Sequence, residues 1–306
     1  MLSRRLFLIL CGVPVVSRAA DASWVLKLGG QVRHNSSGEI VDVNLRGRWV
    51  SAVEILDLLK YKNLIRLNLS LTRISDPDLL YLRPASQIEE LNLAHAEHIT
   101  DIGMSVIKDW KNLKQLDVSG TQAANGTLAF LNNHLQLESL DVAGSEVTDD
   151  GMQELLPLIN LKHLGLGRTN MAEGATNVLG LLDNLQSLDL GATGGRRRRR
   201  DRRNPMARSL VRAIAQLRDL RVLRLGHSEI DSDGVRVLAS SLDKLERLGL
   251  ENCEQVDDSV TPSVIGWKSL RQLDVQGTSV TSRGVHDLRN NRPDLQVLAS
   301  PSGTTG

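Results

Sequence analysis

One apolar pattern, Leu-x-x-Leu-x-Leu-x-x-Thr-x-Ile, recurs along most of this chain, and an internal repeat limits the possible folds more than any other sequence feature. It reads Leu64-Ile-Arg-Leu67-Asn-Leu69-Ser-Leu-Thr72-Arg-Ile74, again from Leu137 to Val147, and again from Leu270 to Val280. The first apolar position falls at Ile40, Leu64, Ile88, Leu113, Leu137, Leu161, Leu185, Leu220, Leu245, Leu270 and Leu295, so successive differences are 24 or 25 except for one of 35. A unit this short cannot bury an apolar face alone, so the units must stack. The x-Leu-x-Leu-x stretch alternates with period two and is therefore a strand, its leucines inward and its intervening residues on the open face. Ser, Thr or Asp follows in Ile74-Ser-Asp76, Ile99-Thr-Asp101, Val147-Thr-Asp149 and Val256-Asp-Asp258, a helix N-cap signature. Met104, Ile107 and Trp110 then continue at helical spacing, as do Met152, Leu155 and Leu156. The expected fold is an α/β solenoid of about 11 units with a parallel concave sheet and short outer helices. Length alone, 306 residues, would suggest about two domains; the repeat makes residues 40–306 one.

The eighth residue after each start is small and carries a hydroxyl or thiol: Thr72, Thr121, Ser145, Thr169, Thr193, Ser228, Cys253 and Thr278, with Arg48 and Ala96 as exceptions. Its expected task is to satisfy turn backbone groups trapped between coils. Cys253 thereby reads as a packing residue.

These motifs resemble the leucine-rich repeats of F-box-type substrate receptors and of many secreted bacterial proteins. Ala96-Glu-His-Ile-Thr-Asp101 and Cys253-Glu-Gln-Val-Asp-Asp258 are the units that match best, and the resemblance covers roughly residues 40–300. It implies a leucine-rich repeat horseshoe, while a fold of this kind hosts many functions. The intracellular receptors carry an F-box helical segment ahead of the repeats, and residues 23–39 are too short for one. That stretch reads as a strand-turn-strand cap over the first coil, which a solenoid needs for solubility, and Leu28-Gly-Gly30 resembles the entry to secreted bacterial members.

Residues 1–22 have the layout of a signal peptide: Arg4 and Arg5, an apolar run from Leu6 to Val16, then small residues. The run is too short for a bilayer that needs about 20 residues. Ser17-Arg-Ala19 and Ala20-Asp-Ala22 offer two cleavage points, giving a mature chain from Ala20 or Ser23. Cys11 is a poor lipidation site after the bulky Leu10, and its removal would leave Cys253 as the only thiol. An exported, bacterial, periplasmic or extracellular protein is expected.

The gap of 35 holds the insert Gly194–Pro205, with Arg196, Arg197, Arg198, Arg199, Arg200, Arg202 and Arg203 against one Asp201. Its charge is 7 − 1 = +6, and that of residues 1–22 is 3 − 1 = +2. The formal net charge of +1 therefore hides a body of 27 basic against 34 acidic residues, a net of −7. Such a loop is either a tolerated expansion, since added loop length costs little entropy, or a hook for an anionic surface or polymer. Arg208 and Arg212 would extend it. Nucleic acid is the least favoured anion, because only eight aromatics exist and none accompanies the arginines.

The concave face carries the candidate chemistry. Four residues after each start the column reads Asn44, Asn68, Asn92, Asp117, Asp141, Gly165, Asp189, Arg224, Gly249 and Asp274. Two residues after the start, Ser139, His163 and Ser187 fall on adjacent strands, with Asp141 and Asp189 beside the serines. A Ser–His–Asp set can thus be drawn, but nothing supplies an oxyanion hole or a sharp turn to present a nucleophile. His95, His163 and His227 lie too far apart along the stack to share a metal. Asn35-Ser-Ser37 and Asn125-Gly-Thr127 match glycosylation acceptors, and no phosphate-cradling glycine loop is found. The expected function is a non-enzymatic, monomeric scaffold without cofactors that binds a protein or peptide on its concave face. Asp117, Asp141, His163, Arg168, Asp189 and Arg224 are the expected contacts, in a region kept shallow by Gly144, Gly165, Gly167 and Gly191. The alternatives are an intracellular F-box-like adaptor in ubiquitin ligation and, more remotely, a hydrolase.

Overall fold

A computed structural model describes residues 21–171, 174–193 and 206–300, and the side chains of all of these but 206 and 207. Twelve strands form one sheet in strict chain order. They are β1 (Gln31–His34), β2 (Ile40–Asn44), β3 (Arg66–Asn68), β4 (Glu90–Asn92), β5 (Gln115–Asp117), β6 (Ser139–Asp141), β7 (His163–Gly165), β8 (Ser187–Asp189), β9 (Val222–Arg224), β10 (Arg247–Gly249), β11 (Gln272–Asp274) and β12 (Gln296–Leu298). β1 runs antiparallel to β2, and every later pair is parallel.

Period-two alternation sets the register. Leu67, Leu91, Leu116, Leu140, Leu164, Leu188, Leu223, Leu248 and Leu273 stand opposite one another and are buried. With the residues two places on (Leu69, Leu93, Val118) and the inner helix faces they make one continuous core. The last coil departs from the sequence spacing. Val297 pairs with Leu273, so one residue fewer separates Leu295 from its strand than in earlier coils; Leu295 and Val297 are both buried, which fixes that shift.

The outer helices sit where expected, but Ser105–Asp109, Asp149–Leu155 and Asp258–Val260 are 3₁₀ rather than α. Met104, Ile107 and Trp110 are fully buried. In Asp149–Leu155, with three residues per turn, Met152 and Leu155 eclipse each other on the inner side, and Leu156 rotates outward, 37% exposed.

Hydrogen bonds within and between coils explain the small-residue columns. Thr72, Thr121 and Thr169 each donate to the carbonyl three residues back, at 2.6 Å. Cys253 does the equivalent across coils, its Sγ 3.2 Å from the Leu225 carbonyl, and burial pushes its thiol pKa up. At the helix starts, an acidic residue of one coil caps the next. Asp101 accepts from the amides of Ala124 (2.9 Å), Gly126 (3.0 Å) and Thr127 (2.8 Å) and from Thr127 Oγ1 (2.6 Å). A glycine in the first turn of the helix makes room for this: a Cβ on Gly126 would lie 2.5 Å from Asp101 Oδ2, and Gly103 and Gly151 face Asp76 and Asn125 in the same way. Asn125 is committed to Thr148 within this ladder.

The N-terminal cap differs from the strand-turn-strand expectation, because Ser23–Lys27 is a short helix. Trp24, Val25 and Leu28 face the core at helical rather than alternating spacing. Asp21 Oδ1 accepts from the Ser23 amide at 2.8 Å, and Trp24 Nε1 donates to Tyr61 Oη at 2.8 Å. Tyr61 Oη in turn donates to the Asp21 carbonyl at 3.1 Å. The segment 1–20 and the arginine-rich insert 194–205, with Arg196–Arg200, Arg202 and Arg203, lie outside the described residues.

Candidate functional site

Each strand presents two side chains to the open side, and pairing brings them into two files. The first runs Arg66, Glu90, Gln115, Ser139, His163, Ser187, Val222, Arg247; the second runs Asn68, Asn92, Asp117, Asp141, Gly165, Asp189, Arg224, Gly249. Neighbours in a file are about 4.8 Å apart, the spacing of hydrogen-bonded strands. Asp117, Asp141, Asp189 and Arg224 therefore stand together in one file and His163 in the other.

Arg168 is placed differently. It follows its strand in the left-handed turn at φ 58°, as do Leu71, His95, Ala192, His227 and Asn252 in their own coils. Each of these amides donates to a carbonyl of the next coil, for example Arg168 N to Gly191 O at 2.8 Å and His227 N to Glu251 O at 2.7 Å. Coil stacking thus holds L-residues in a conformation they rarely adopt. Arg168 sits on the rim, and its side chain is exposed.

The acidic file has a structural duty that the sequence reading missed. Asn68, Asn92, Asp117, Asp141, Asp189 and Asp274 each accept, through one side-chain oxygen, from the amide two residues on, at 2.9–3.0 Å. These are Asx turns that close the strand exit, so part of the stripe serves the fold. The second oxygen is what remains for a ligand. In Asp117 it accepts from Asn92 Nδ2 at 3.0 Å, and in Asp189 it lies 3.7 Å from Arg224 Nη1. In Asp141 no described hydrogen bond engages it. Asp141 packs across β7, where a Cβ on Gly165 would come 2.5 Å from its carboxylate. Burial lifts the Asp141 pKa above the ordinary carboxylate value, opposed by the Ala143 amide and reinforced by Asp117 and Asp189.

A trough of about 400 Å³ lies over β2–β6 and includes Asp42, Arg66, Glu90, Asp117, Ser139 and Asp141. It is displaced toward the N-terminal end from the β5–β9 region expected from sequence. Asp42, Arg66 and Glu90, two places after Ile40, Leu64 and Ile88, line it beside the expected Asp117 and Asp141. Arg66 Nε donates to Asp42 Oδ2 at 3.0 Å. Burial also raises the Glu90 pKa, opposed by the Arg66 charge.

Ser139, His163 and Ser187 do stand opposite one another. No described hydrogen bond joins His163 to either serine or to Asp141, and its ring is exposed. Among the described residues, no three His, Cys, Asp or Glu side chains are grouped to hold a metal.

Repeat, register and horseshoe sheet together define the class: this chain is a leucine-rich repeat protein. The Leucine Rich repeat family profile matches residues 132–156 and 216–239. No curated protein matches the chain. Among solved structures it is similar to an LRR protein of Leptospira interrogans, at 17% identity over 80% of this chain and 62% of that one, with TM-score 0.48. It is also similar to internalin C2 of Listeria monocytogenes, at 18% identity over 74% and 84% of the two chains, TM-score 0.48. A third likeness is to the Arabidopsis receptor kinase HAESA, solved in complex with the peptide hormone IDA and the co-receptor SERK1, at 18% identity, 81% and 40% coverage and TM-score 0.55. The chain spans less than two thirds of the Leptospira and Arabidopsis chains. Among the described residues, no helix is long and apolar enough to cross a membrane.

Proposed function

We propose that this protein is an exported, non-enzymatic scaffold that binds a protein or peptide on its concave sheet. The observation that carries the reading is the open face itself: two files of mostly polar side chains on a continuous sheet with no other element of the described chain laid over them. A solenoid of this kind offers an extended curved surface, and peptide recognition is what such a surface does well. The structurally similar receptor kinase HAESA was solved in complex with a peptide hormone. The charged leader and short apolar run of residues 1–22 support export.

Two experiments test this. Fractionation with N-terminal sequencing should find a processed chain outside the cytoplasm; a precursor-length cytoplasmic product refutes export. Pull-down from the exported fraction should recover a partner that Asp141→Arg and Asp189→Arg release. Capture that survives both changes places binding elsewhere.

A further inference from the structure

Charge is unevenly spread along the concave face. Over β2–β6 the trough presents the carboxylates of Asp42, Glu90, Asp117 and Asp141 against one cation, Arg66. That cation is already paired with Asp42. Among the described residues, Glu90, Asp117 and Asp141 have no ion-pair partner. Toward the other end the excess of acid is lost, with Arg224 on β9 and an exposed Arg247 on β10, without an ion-pair partner among the described residues, set against Asp189 on β8 and Asp274 on β11. Asp189 and Arg224, 3.7 Å apart, mark the boundary.

From this charge map we infer that the trough over β2–β6 receives an extended, cationic polypeptide segment whose lysine or arginine side chains reach Glu90, Asp117 and Asp141. This rests on the concave face being the binding surface and names the chemistry of its partner. Three arguments support it. Carboxylates on adjacent strands about 4.8 Å apart repel one another, and a partner cation removes a repulsion the chain leaves in place. Like-charged side chains on one side of an extended chain recur every ~6.7 Å, within reach of flexible lysine stems aimed at neighbouring strands. Four strand spacings, roughly 19 Å, hold about six extended residues, so a short segment suffices. An acidic peptide is excluded by the same charges. Burial of Glu90 and Asp141 also weakens solvent screening there, which makes each contact stronger than at an open surface.

The test uses the full chain and fluorescein-labelled probes about twelve residues long, alternating Lys-Thr or Glu-Thr, followed by fluorescence anisotropy. Two variants are compared with the parent, each checked for native circular dichroism. Glu90→Gln/Asp141→Asn removes charge in the trough, and Asp150→Asn/Asp183→Asn removes the same charge from exposed positions off the concave face. The expected result is binding of the Lys-Thr probe that weakens about tenfold in the first variant and less than about twofold in the second, and that falls with salt. Equal losses in both variants, or comparable binding of the Glu-Thr probe, overturn the inference. A random-peptide selection on the same chain separates this failure from that of the broader reading. Selected peptides that are not cationic but are lost with Asp141→Arg refute the charge inference and leave the scaffold standing. The absence of any selection that depends on the concave face refutes both.

Discussion

The clearest quantitative test of the stacking is a double-mutant cycle on Asp101 and Gly126. Asp101 caps the helix Asn125–Leu131 from the preceding coil, accepting three amide bonds and the Thr127 hydroxyl. Truncation in Asp101→Ala removes an N-cap, which costs about 1 kcal/mol. It also strands the fully buried Thr127 hydroxyl, for another ~1–2 kcal/mol. The total is about 2–3 kcal/mol. In the parent, Gly126→Ala would set a Cβ 2.5 Å from Asp101 Oδ2 and force the carboxylate away. It should therefore destabilise, although alanine is the better helix former by about 0.5–1 kcal/mol. In the Asp101→Ala background the carboxylate is gone and only the Cβ of residue 101, 3.2 Å from the new one, remains of that contact, so the same change should cost little or stabilise by up to ~0.5–1 kcal/mol. Urea denaturation followed by circular dichroism gives the four stabilities, and hydrogen exchange at Ala124 and Gly126 reports the cap directly. The expected coupling exceeds about 1 kcal/mol; energies that add within about 0.5 kcal/mol would refute the claim that glycine is present to admit the aspartate.

Three further outcomes are expected. His134 is fully buried with Nε2 2.9 Å from the Ile107 carbonyl, and burial lowers its pKa below the usual histidine value. The unfolded chain then takes up a proton near pH 6.5 before the folded one does, so stability should fall as pH drops through that value, reaching a constant deficit below the depressed folded pKa. A His134→Leu variant should lose this part of the pH slope in thermal melts, and an unchanged slope would assign the effect elsewhere. Arg292, 3% exposed, donates to the carbonyls of Trp267 and Leu270 at 2.8 Å and pairs with Asp294, whose pKa falls to about 2. Arg292→Leu removes these charged donors, leaving Trp267 O only the Leu270 amide at 3.2 Å and Leu270 O only Arg271 Nη1 at 3.3 Å, and should cost about 1.5–3 kcal/mol, with early loss of exchange protection confined to the last coils. Ala192 sits in the left-handed turn at φ 57°, so Ala192→Gly should raise stability by up to about 1 kcal/mol; a loss would show that the turn imposes no strain.

Much of the fold was legible because the repeat is written in leucine spacing. Ile40 to Leu270 marked the strands in order, and the alternation between them told inward from outward residues. The revisions fall where local pattern competes with stacking. Leu156 matched a helical spacing, yet the coil closes as a 3₁₀ helix and turns it out. Trp24 to Leu28 looked like a strand, but three apolar contacts with the first coil make it a helix. Another column escaped notice. From Leu64 onward the residue three before each start is buried, and in Tyr61, Trp110, His134, Trp267 and Arg292 it carries a donor; in Trp110, His134, Trp267 and Arg292 that donor reaches a carbonyl of the coil before. Aligning the repeats backwards from the strand would have exposed it.

The sequence by itself determined the solenoid, its coil length and the identity of the side chains on the concave face, because a period-two strand inside a 24- or 25-residue repeat admits one sorting of inward and outward residues. Only the tertiary structure decided which of those side chains are free. It tied one oxygen of each aspartate in the central file to its own turn, moved Arg168 to the rim, and joined Asp42, Glu90, Asp117 and Asp141 into a trough. These outcomes depend on side-chain hydrogen bonds at the strand exits and on distances between coils, neither of which a linear pattern contains.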